Sequence, residues 1–285
     1  MPAINCHKCR QLISDKETHC PFCQAPQVIE RESASLTKEF FKEPKEVINW
    51  IVAINVLLYI ASIILDPSEA MSLDHGLLGV GSPTNRSLIV LGMTGSAMWT
   101  CGLWWTLLTA SFLHGSILHI YFNLSWLRQL GAMTVVLLGP ARFIFAYLAT
   151  GVGGFLLSNF WNNPSTVGAS CSIFGLMGVL IVFARRRGGL LGEKLGKQLW
   201  IWTGVGLLFG LMVPMVNNAG HIGGLLTGMA LGFVFPKQEN RQESGVLQLL
   251  SLALLCATIL FVGYNGLIMT QALEQYDLLG QFFCQ

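Results

Sequence analysis

Seven apolar runs occupy most of the chain after residue 46, and most of them are long enough to cross a lipid bilayer as a helix. Spanning the hydrocarbon core takes roughly 20 apolar residues. The composition agrees, because 11% of the residues are charged, whereas a soluble domain averages about 25%. We predict an all-α polytopic membrane protein with spans at about 47–65, 112–136, 142–161, 167–184, 199–216, 219–235 and 246–270.

A further apolar stretch, residues 88–110, is interpreted as a membrane-dipping loop and not as a span. Its three glycines and three tryptophans suit the membrane interface. With the loop left out of the count, nearly all basic residues after the linker fall on the N-terminal side of the membrane. An extra span would move the Arg185–Arg187 cluster to the outside, against the positive-inside rule. We therefore expect a cytoplasmic N-terminus and a C-terminus on the outer side.

The chain is predicted to contain four parts. Residues 1–25 form a small polar module, 26–46 a charged juxtamembrane linker, 47–236 a six-span core, and 237–285 a second linker, the seventh span and an outer tail. The net charge of +2 is too small to imply a nucleic-acid partner. Because no transit peptide is recognisable, we expect an integral protein of a bacterial cell membrane in direct contact with the lipid bilayer.

Four cysteines of the N-terminal module have a metal-binding spacing, with two Cys-x2-Cys pairs separated by ten residues. The N-terminus lacks the pattern of a signal peptide, so it is expected to stay in the reducing cytosol, where clustered thiols bind metals more often than they form disulfides. We predict a zinc ribbon with a structural Zn²⁺, because four protein ligands leave no open position. A redox pair is the alternative, and the module could also bind a protein partner. The predicted ligands are Cys6, Cys9, Cys20 and Cys23.

A serine opens the fourth apolar run, in the sequence Gly168-Ala169-Ser170. The first backbone N–H groups of a helix have no intrahelical partners and lie at the positive end of its dipole, so an oxyanion can be stabilised there. Gly168 would let a substrate or the backbone approach closely. The alternative is a small serine that only packs between helices.

A histidine lies in the sixth run, beside a stripe of glycines. Gly220, Gly224, Gly228 and Gly232 recur every fourth residue, which permits close contact between two helices. Between Asp74 and Glu193 the chain has no acidic residue. If Ser170 is a nucleophile, its base must therefore be a histidine, and His221 is the candidate. A structural histidine bonded to a carbonyl is the alternative.

The second run supplies further polar groups in the pattern His114-x4-His119-x3-Asn123. His119 and Asn123 are four residues apart and share one helical face. They are hydrogen-bond donors of the kind that complete an oxyanion hole. A polar patch that joins helices is the alternative, and binding of a transition metal by the histidines is a third interpretation.

These three motifs lie, in chain order, on the second, fourth and sixth spans, and together they resemble the rhomboid family of intramembrane serine proteases over residues 47–236. The resemblance implies a six-helix bundle, here with an added seventh C-terminal helix. It implies a nucleophilic serine, a histidine base, and an oxyanion site that includes the backbone N–H of the serine. Carried over, the catalytic residues are Ser170 and His221, the oxyanion residues are His119 and Asn123, and the supporting residues are His114, Gly168 and Phe174, whose ring would pack on the base.

The resulting hypothesis is a serine endopeptidase that needs no cofactor for catalysis. It would cleave transmembrane segments of single-span proteins near the outer membrane surface. Two departures from the family pattern, Thr106 after Trp105 and Cys171 after the serine, leave an alternative open. In it, the chain is a catalytically inactive relative that binds membrane helices for quality control or trafficking. A small transporter that uses the histidines as a proton relay is a weaker alternative, because the spans carry no carboxylates.

Overall fold

The computed structural model describes residues 3–6, 8–9, 11–14, 19–25, 40–41, 43–70, 79–161, 165–213, 216–237 and 242–275. They belong to two compact units, Met1–Glu39 and Phe40–Gln285. Most of the predicted juxtamembrane linker and the end of the outer tail lie outside the described residues. The division of the chain into four parts stays a prediction.

The N-terminal unit contains a short antiparallel pair of strands. Strand β1, Ala3–Asn5, pairs with β2, Leu12–Ser14. The backbone N–H of Cys6 donates to the carbonyl oxygen of Gln11 at 2.9 Å, and that of Cys20 donates to Ala25 at 2.9 Å. Each Cys-x2-Cys pair is therefore held in a tight turn.

The second unit is helical, as predicted, with ten helices among its described residues. Seven are long and three are short, and a 3-10 turn at Ala110–Phe112 follows the third short one. In chain order they are α1 (Pro44–Leu65), α2 (Asn85–Leu91), α3 (Ser96–Thr100), α4 (Thr106–Thr109), α5 (Ile117–Leu138), α6 (Pro140–Phe160), α7 (Ser170–Arg187), α8 (Gly189–Met212), α9 (Asn218–Val234) and α10 (Gly245–Gln275).

Local sequence accounts for several helix ends. The Ser116 hydroxyl accepts the backbone N–H of His119 at 3.2 Å and caps the start of α5. Gly139, with a φ of 104°, ends α5. Pro140 then opens α6, where a missing N–H has no cost because the first N–H groups of a helix lack partners anyway.

Three of the long helices, among the described residues, are long and apolar enough to cross a membrane by length and composition. They are Lys45–Leu65 in α1, Pro140–Phe160 in α6 and Gly245–Gln271 in α10. Each of the seven predicted apolar runs overlaps one long helix. The protein is thus an integral membrane protein whose second unit is all-α, and the number of crossings stays a prediction.

Two segments differ in detail from the predicted runs. Helix α8 begins at Gly189, ten residues before the predicted start. The prediction missed these first turns because they carry Glu193, Lys194 and Lys197, which lower the hydropathy of the segment. Residues 85–112 contain three short helices and the 3-10 turn, joined by short non-helical segments. Each helix is too short to span a bilayer. Their insertion into the membrane as a loop stays a prediction.

Helix α7 forms the centre of the bundle. Every residue from Cys171 to Ala184 is buried. At its C-terminal end, Nη1 of Arg186 donates to the carbonyl oxygens of Gly232 at 2.7 Å and Phe235 at 2.6 Å, at the end of α9. The last turns of α7 and α9 are therefore joined by a charge-assisted contact at the end remote from Ser170.

A second charge-assisted contact lies at the start of α6. The carboxylate of Glu243 accepts the backbone N–H groups of Ala141 at 3.1 Å and Arg142 at 2.8 Å. Burial raises the pKa of Glu243, while these hydrogen bonds and the Arg142 charge oppose the shift. The segment that leads into α10 is thereby fixed to the first turn of α6.

Candidate active site

Ser170 is the first residue of the central helix α7. Its own backbone N–H therefore has no intrahelical partner and lies at the positive end of the helix dipole. Sequence analysis expected the helix to begin a few residues earlier. The later start brings the serine to the helix terminus itself, where an oxyanion is stabilised most.

Gly168 lies between Ser170 and His119. A methyl group built on Gly168 would lie 2.8 Å from Nε2 of His119 and 3.7 Å from Oγ of Ser170. The two polar atoms therefore border the same small space. Gly168 also has a φ of 129°, which L side chains rarely adopt, and its N–H donates to the carbonyl oxygen of Ala110 at 2.9 Å. Only glycine meets both requirements without strain.

The hydrogen bonding of His119 determines where its proton lies. The backbone N–H of Gly115 donates to Nδ1 of His119 at 3.2 Å. A ring nitrogen that accepts an N–H cannot carry a proton, so the neutral imidazole holds its proton on Nε2. That N–H borders the space next to Gly168. His119 is thus placed to donate to an oxygen near Ser170, as an oxyanion residue must.

Asn123 and His114 lie close to His119. The side-chain amide of Asn123 donates to the carbonyl oxygen of His119 at 2.8 Å, which uses one of its two N–H groups. The rings of His114 and His119 are in edge contact, with centroids 5.1 Å apart. His114 is fully buried beside His119. Its role as a supporting residue of the site stays a prediction.

His221 lies in the second turn of α9 and stacks on Phe174. The ring centroids are 4.2 Å apart and the planes 10° from parallel. Phe174 is one turn after Ser170 on α7, so the serine and the stacked histidine face the same groove between the two helices. Within the described part of the chain, Nδ1 of His221 is buried without a hydrogen-bond partner. The stacked phenyl ring fixes the plane of the imidazole.

The glycine stripe of α9 lies directly against α7. A methyl group on Gly224 would collide with the carbonyl oxygen of Cys171, and one on Gly228 with that of Gly175. A methyl group on Gly232 would lie 2.7 Å from Cβ of Val182. The two helices therefore touch through backbone atoms along their length, and this contact sets the distance between Ser170 and His221.

The two departures from the family pattern have structural roles. Sγ of Cys171 lies in a notch between Gly154 of α6 and Gly220 of α9, 3.1 and 2.7 Å from methyl groups built there. The Thr106 hydroxyl donates at 2.6 Å to the carbonyl oxygen of Leu103 and lies 3.0 Å from Oγ1 of Thr94. Cys171 is a helix-packing residue, and Thr106 supplies hydrogen bonds within the loop.

Sequence analysis missed Asn217, which caps α9. Its side-chain oxygen accepts the backbone N–H of Gly220 at 2.9 Å, and its amide donates to Ser158 at 2.6 Å and Thr166 at 3.0 Å. Asparagine three residues before Gly220 is a normal capping signal that could have been read from the sequence. Its bonds to Ser158 and Thr166 had no such signal. Asn217 fixes the start of the His221 helix to the segment that precedes Ser170.

The N-terminal unit contains a candidate metal centre. The four Sγ atoms of the cysteine cluster lie within 4.8 Å of one another. The Cys6–Cys23 and Cys9–Cys20 pairs are each 3.6 Å apart. Tetrahedral zinc with bonds of about 2.3 Å requires sulfur atoms roughly 3.8 Å apart, so the four thiols fit this ion.

Comparison with known proteins finds a Rhomboid domain at residues 102–238. The chain is 32% identical over 189 residues to Rhomboid protease GluP of Bacillus subtilis, a match that covers 66% of this chain and 36% of that protein. It is 29% identical over 144 residues to Putative rhomboid protease YdcA of Bacillus subtilis, covering 50% of this chain and 72% of that protein.

A similar relationship extends to eukaryotes. The chain is 28% identical over 224 residues to Rhomboid-like protease 3 of Toxoplasma gondii, covering 75% of this chain and 78% of that protein. The chain thus spans most of some relatives and about a third of another, GluP. The chain therefore contains a Rhomboid domain at residues 102–238, and the relatives to which it is similar are named rhomboid or rhomboid-like proteases.

Proposed function

We propose that the protein is an intramembrane serine endopeptidase with Ser170 as nucleophile and His221 as base. The observation that carries this proposal is the arrangement around Gly168, where Oγ of Ser170 and the Nε2–H of His119 border one small space. The stacking of His221 on Phe174, one turn after the serine, supports the pairing. The printed names of the relatives, which describe proteases, agree with it.

The chemistry follows from these positions. A ring nitrogen of His221 takes the Ser170 proton while Oγ forms a bond to a peptide carbonyl carbon. The oxygen of that carbonyl becomes an oxyanion, which accepts hydrogen bonds from Nε2–H of His119, the second amide N–H of Asn123 and the backbone N–H of Ser170. The histidine then protonates the leaving amine, the C–N bond breaks, and an acyl-enzyme forms. Water repeats the sequence to release the carboxylate.

The substrates that this mechanism fits are single-span membrane proteins. A regular transmembrane helix uses all its carbonyl groups in internal hydrogen bonds, so the substrate must unwind locally before Ser170 can attack. Small, helix-destabilising residues near the outer membrane surface would ease that step. With the N-terminus in the cytoplasm, the N-terminal end of α7 and therefore Ser170 lie towards the outer side.

We also propose that Cys6, Cys9, Cys20 and Cys23 bind a structural Zn²⁺. The distances between the four thiol sulfur atoms support this assignment. Zinc would cross-link the two turns of a module too small to fold on hydrophobic burial alone. It would have no part in peptide hydrolysis.

The test of the protease proposal uses a fluorescent fluorophosphonate and a single-span reporter protein on the detergent-purified protein. Ser170→Ala and His221→Ala are both expected to reduce labelling and cleavage to background, a fall of more than about 10⁴-fold. Ser172→Ala is the matched control, since it removes a buried hydroxyl two residues along the same helix. It should label as wild type does.

The proposal is wrong if folded wild-type protein neither labels nor cleaves. In that case the chain is an inactive relative that binds membrane helices. Cleavage that survives in Ser170→Ala would equally exclude the serine as nucleophile.

A further inference from the structure

We propose that α10 is a positioning element for the active site, and that it acts through Asn265. Residues 85–112, called the tryptophan loop below, lie between α10 and the site. Helix α10 lies outside the residues matched by the Rhomboid domain. The effect of α10 on the reaction depends on the proposed protease function, whereas the contacts of α10 with the tryptophan loop do not.

Asn265 is almost completely buried on a helix that is otherwise largely exposed. Only 1% of the surface of Asn265 is accessible. In the apolar window of α10 as a whole, by contrast, only 17% is buried. Its amide nitrogen donates to the carbonyl oxygens of Ile89 at 2.8 Å and Val90 at 2.9 Å, and its oxygen accepts the indole N–H of Trp105 at 3.0 Å. A polar side chain at membrane depth is costly unless it is paired. Here both amide hydrogens and the oxygen are used, and every partner belongs to the tryptophan loop.

Aromatic contacts extend the same face of α10. Phe261 and Tyr264 precede Asn265 by four residues and one residue, and both contact Trp105, with centroids 6.3 and 5.3 Å apart. Phe261 also meets Trp104 edge-on at 5.3 Å. These aromatic side chains of α10 therefore add ring contacts with the loop to the three hydrogen bonds of Asn265.

The loop in turn contacts the starts of both proposed catalytic helices. Thr106, next to Trp105, lies 3.0 Å from Thr94 through their hydroxyl oxygens. Thr94 pairs with Thr166 through two backbone hydrogen bonds of 2.7 and 3.3 Å. Thr166 accepts from Asn217, the cap of α9, at 3.0 Å. At the other end of the loop, the carbonyl oxygen of Ala110 accepts a hydrogen bond from the backbone N–H of Gly168.

A continuous set of hydrogen bonds and adjacent residues thus leads from Asn265 to the segment before Ser170 and to the cap of the His221 helix. A displacement of the loop by a fraction of an ångström is transmitted to both. Reaction rates are sensitive to such shifts, since a misplacement of about 1 Å can cost ~10²-fold.

The main comparison in the test is between two variants of α10 that each lose buried hydrogen bonds, and two further variants support it. Asn265→Leu keeps the approximate volume and removes all three bonds to the loop. Ser251→Ala is the matched control, because Ser251 is fully buried on the same helix and donates to Ala141 of α6, not to the loop. Trp105→Phe removes the indole N–H from the loop side, and Asn265→Gln retains the amide.

In Asn265→Leu we expect the rate of fluorophosphonate labelling and the kcat for reporter cleavage to fall about tenfold with little change in KM, as for a misplaced catalytic group. Hydrogen–deuterium exchange should accelerate in 88–106 and in 165–170 while α6 stays protected. Trp105→Phe should act in the same direction, and the double variant should be no worse than Asn265→Leu. Asn265→Gln should recover part of the rate, and Ser251→Ala should match wild type.

Two results would overturn the inference. One is an unchanged labelling rate in Asn265→Leu despite faster exchange in the loop. The other is an equal loss in Ser251→Ala, which would mean that any loosening of α10 has the same effect. If wild type itself neither labels nor cleaves, the protease proposal fails, and exchange at 165–170 alone decides the positioning role. Acceleration in Asn265→Leu but not in Ser251→Ala supports it, and no difference refutes it.

Discussion

Gly168 combines two demands that a single residue seldom meets. Its backbone adopts a φ of 129°, and the space that a side chain would fill is bordered by Nε2 of His119 and Oγ of Ser170. The first demand concerns stability, because left-handed backbone conformations are strained for other residues. The second concerns chemistry, because the substrate carbonyl has to enter that space. The two effects can be separated by comparison with another glycine of similar conformation.

Gly168→Ala is expected to abolish fluorophosphonate labelling, because the methyl group would lie 2.8 Å from His119 and fill the proposed oxyanion site. Gly188→Ala is the control. Gly188 has a φ of 68° and no atom within 4 Å of a built methyl group, so it suffers only the backbone strain of about 1–3 kcal/mol. Thermal unfolding in detergent should show a loss in both variants, and the loss should be at least as large in Gly168→Ala because its methyl group also meets His119. Normal labelling in Gly168→Ala would contradict the assigned oxyanion site.

At the scale of elements, the contact between α7 and α9 determines the site more than any single side chain does. Backbone atoms of Cys171 and Gly175 touch Gly224 and Gly228, so the separation of the two helices is set by the absence of side chains. Small residues permit this approach in membranes, where no hydrophobic effect drives helices together.

Gly228→Ala is expected to destabilise the bundle by about 1–3 kcal/mol, as overpacking does, and to reduce labelling strongly. The methyl group would meet the carbonyl oxygen of Gly175, which cannot move without shifting α7. Gly204→Ala, on α8, is the matched control, since nothing lies within 4 Å of its built methyl group. The unfolding temperature and labelling rate of both variants should be measured together. Equal behaviour of the two would refute the close contact.

The glycine stripe could be predicted from sequence because it repeats every fourth residue, and the stacking of Phe174 on His221 because a family resemblance implied it. The contacts of Asn217 and Asn265 with distant segments could not be predicted from the sequence. Their partners are hydroxyl groups, backbone carbonyls and an indole in distant segments, and such partners leave no periodic signal along the chain. The role of Cys171 was also open, because sequence spacing does not reveal which helix a side chain faces.

At the scale of the whole molecule, the chain consists of two compact units with separate chemistry. The four thiols of the first unit match tetrahedral zinc, and the proposed hydrolysis in the second unit uses only serine, histidine and amide groups. Removal of the metal should therefore affect one unit and leave the other active.

Wild-type protein purified with zinc is expected to contain about one zinc per chain, because four thiolates complete one tetrahedral site. Cys6→Ser combined with Cys20→Ser should abolish the metal, as determined by elemental analysis, and leave fluorophosphonate labelling unchanged. Cys256→Ser, which alters an exposed cysteine of α10, is the control and should retain the metal. Zinc that persists after loss of both thiols would contradict the site.

The order of the helices along the chain has a consequence for biogenesis. Ser170 opens α7, but its proposed base lies on α9 and the helix that holds the tryptophan loop comes last. While the chain is still being synthesised, the serine enters the membrane with no base beside it, until α9 docks against α7 through its glycines. Under the proposed mechanism, the growing bundle stays inert until α9, which begins roughly the last quarter of the chain, has been synthesised. On the same proposal, the order of the helices would protect neighbouring membrane proteins from cleavage during synthesis.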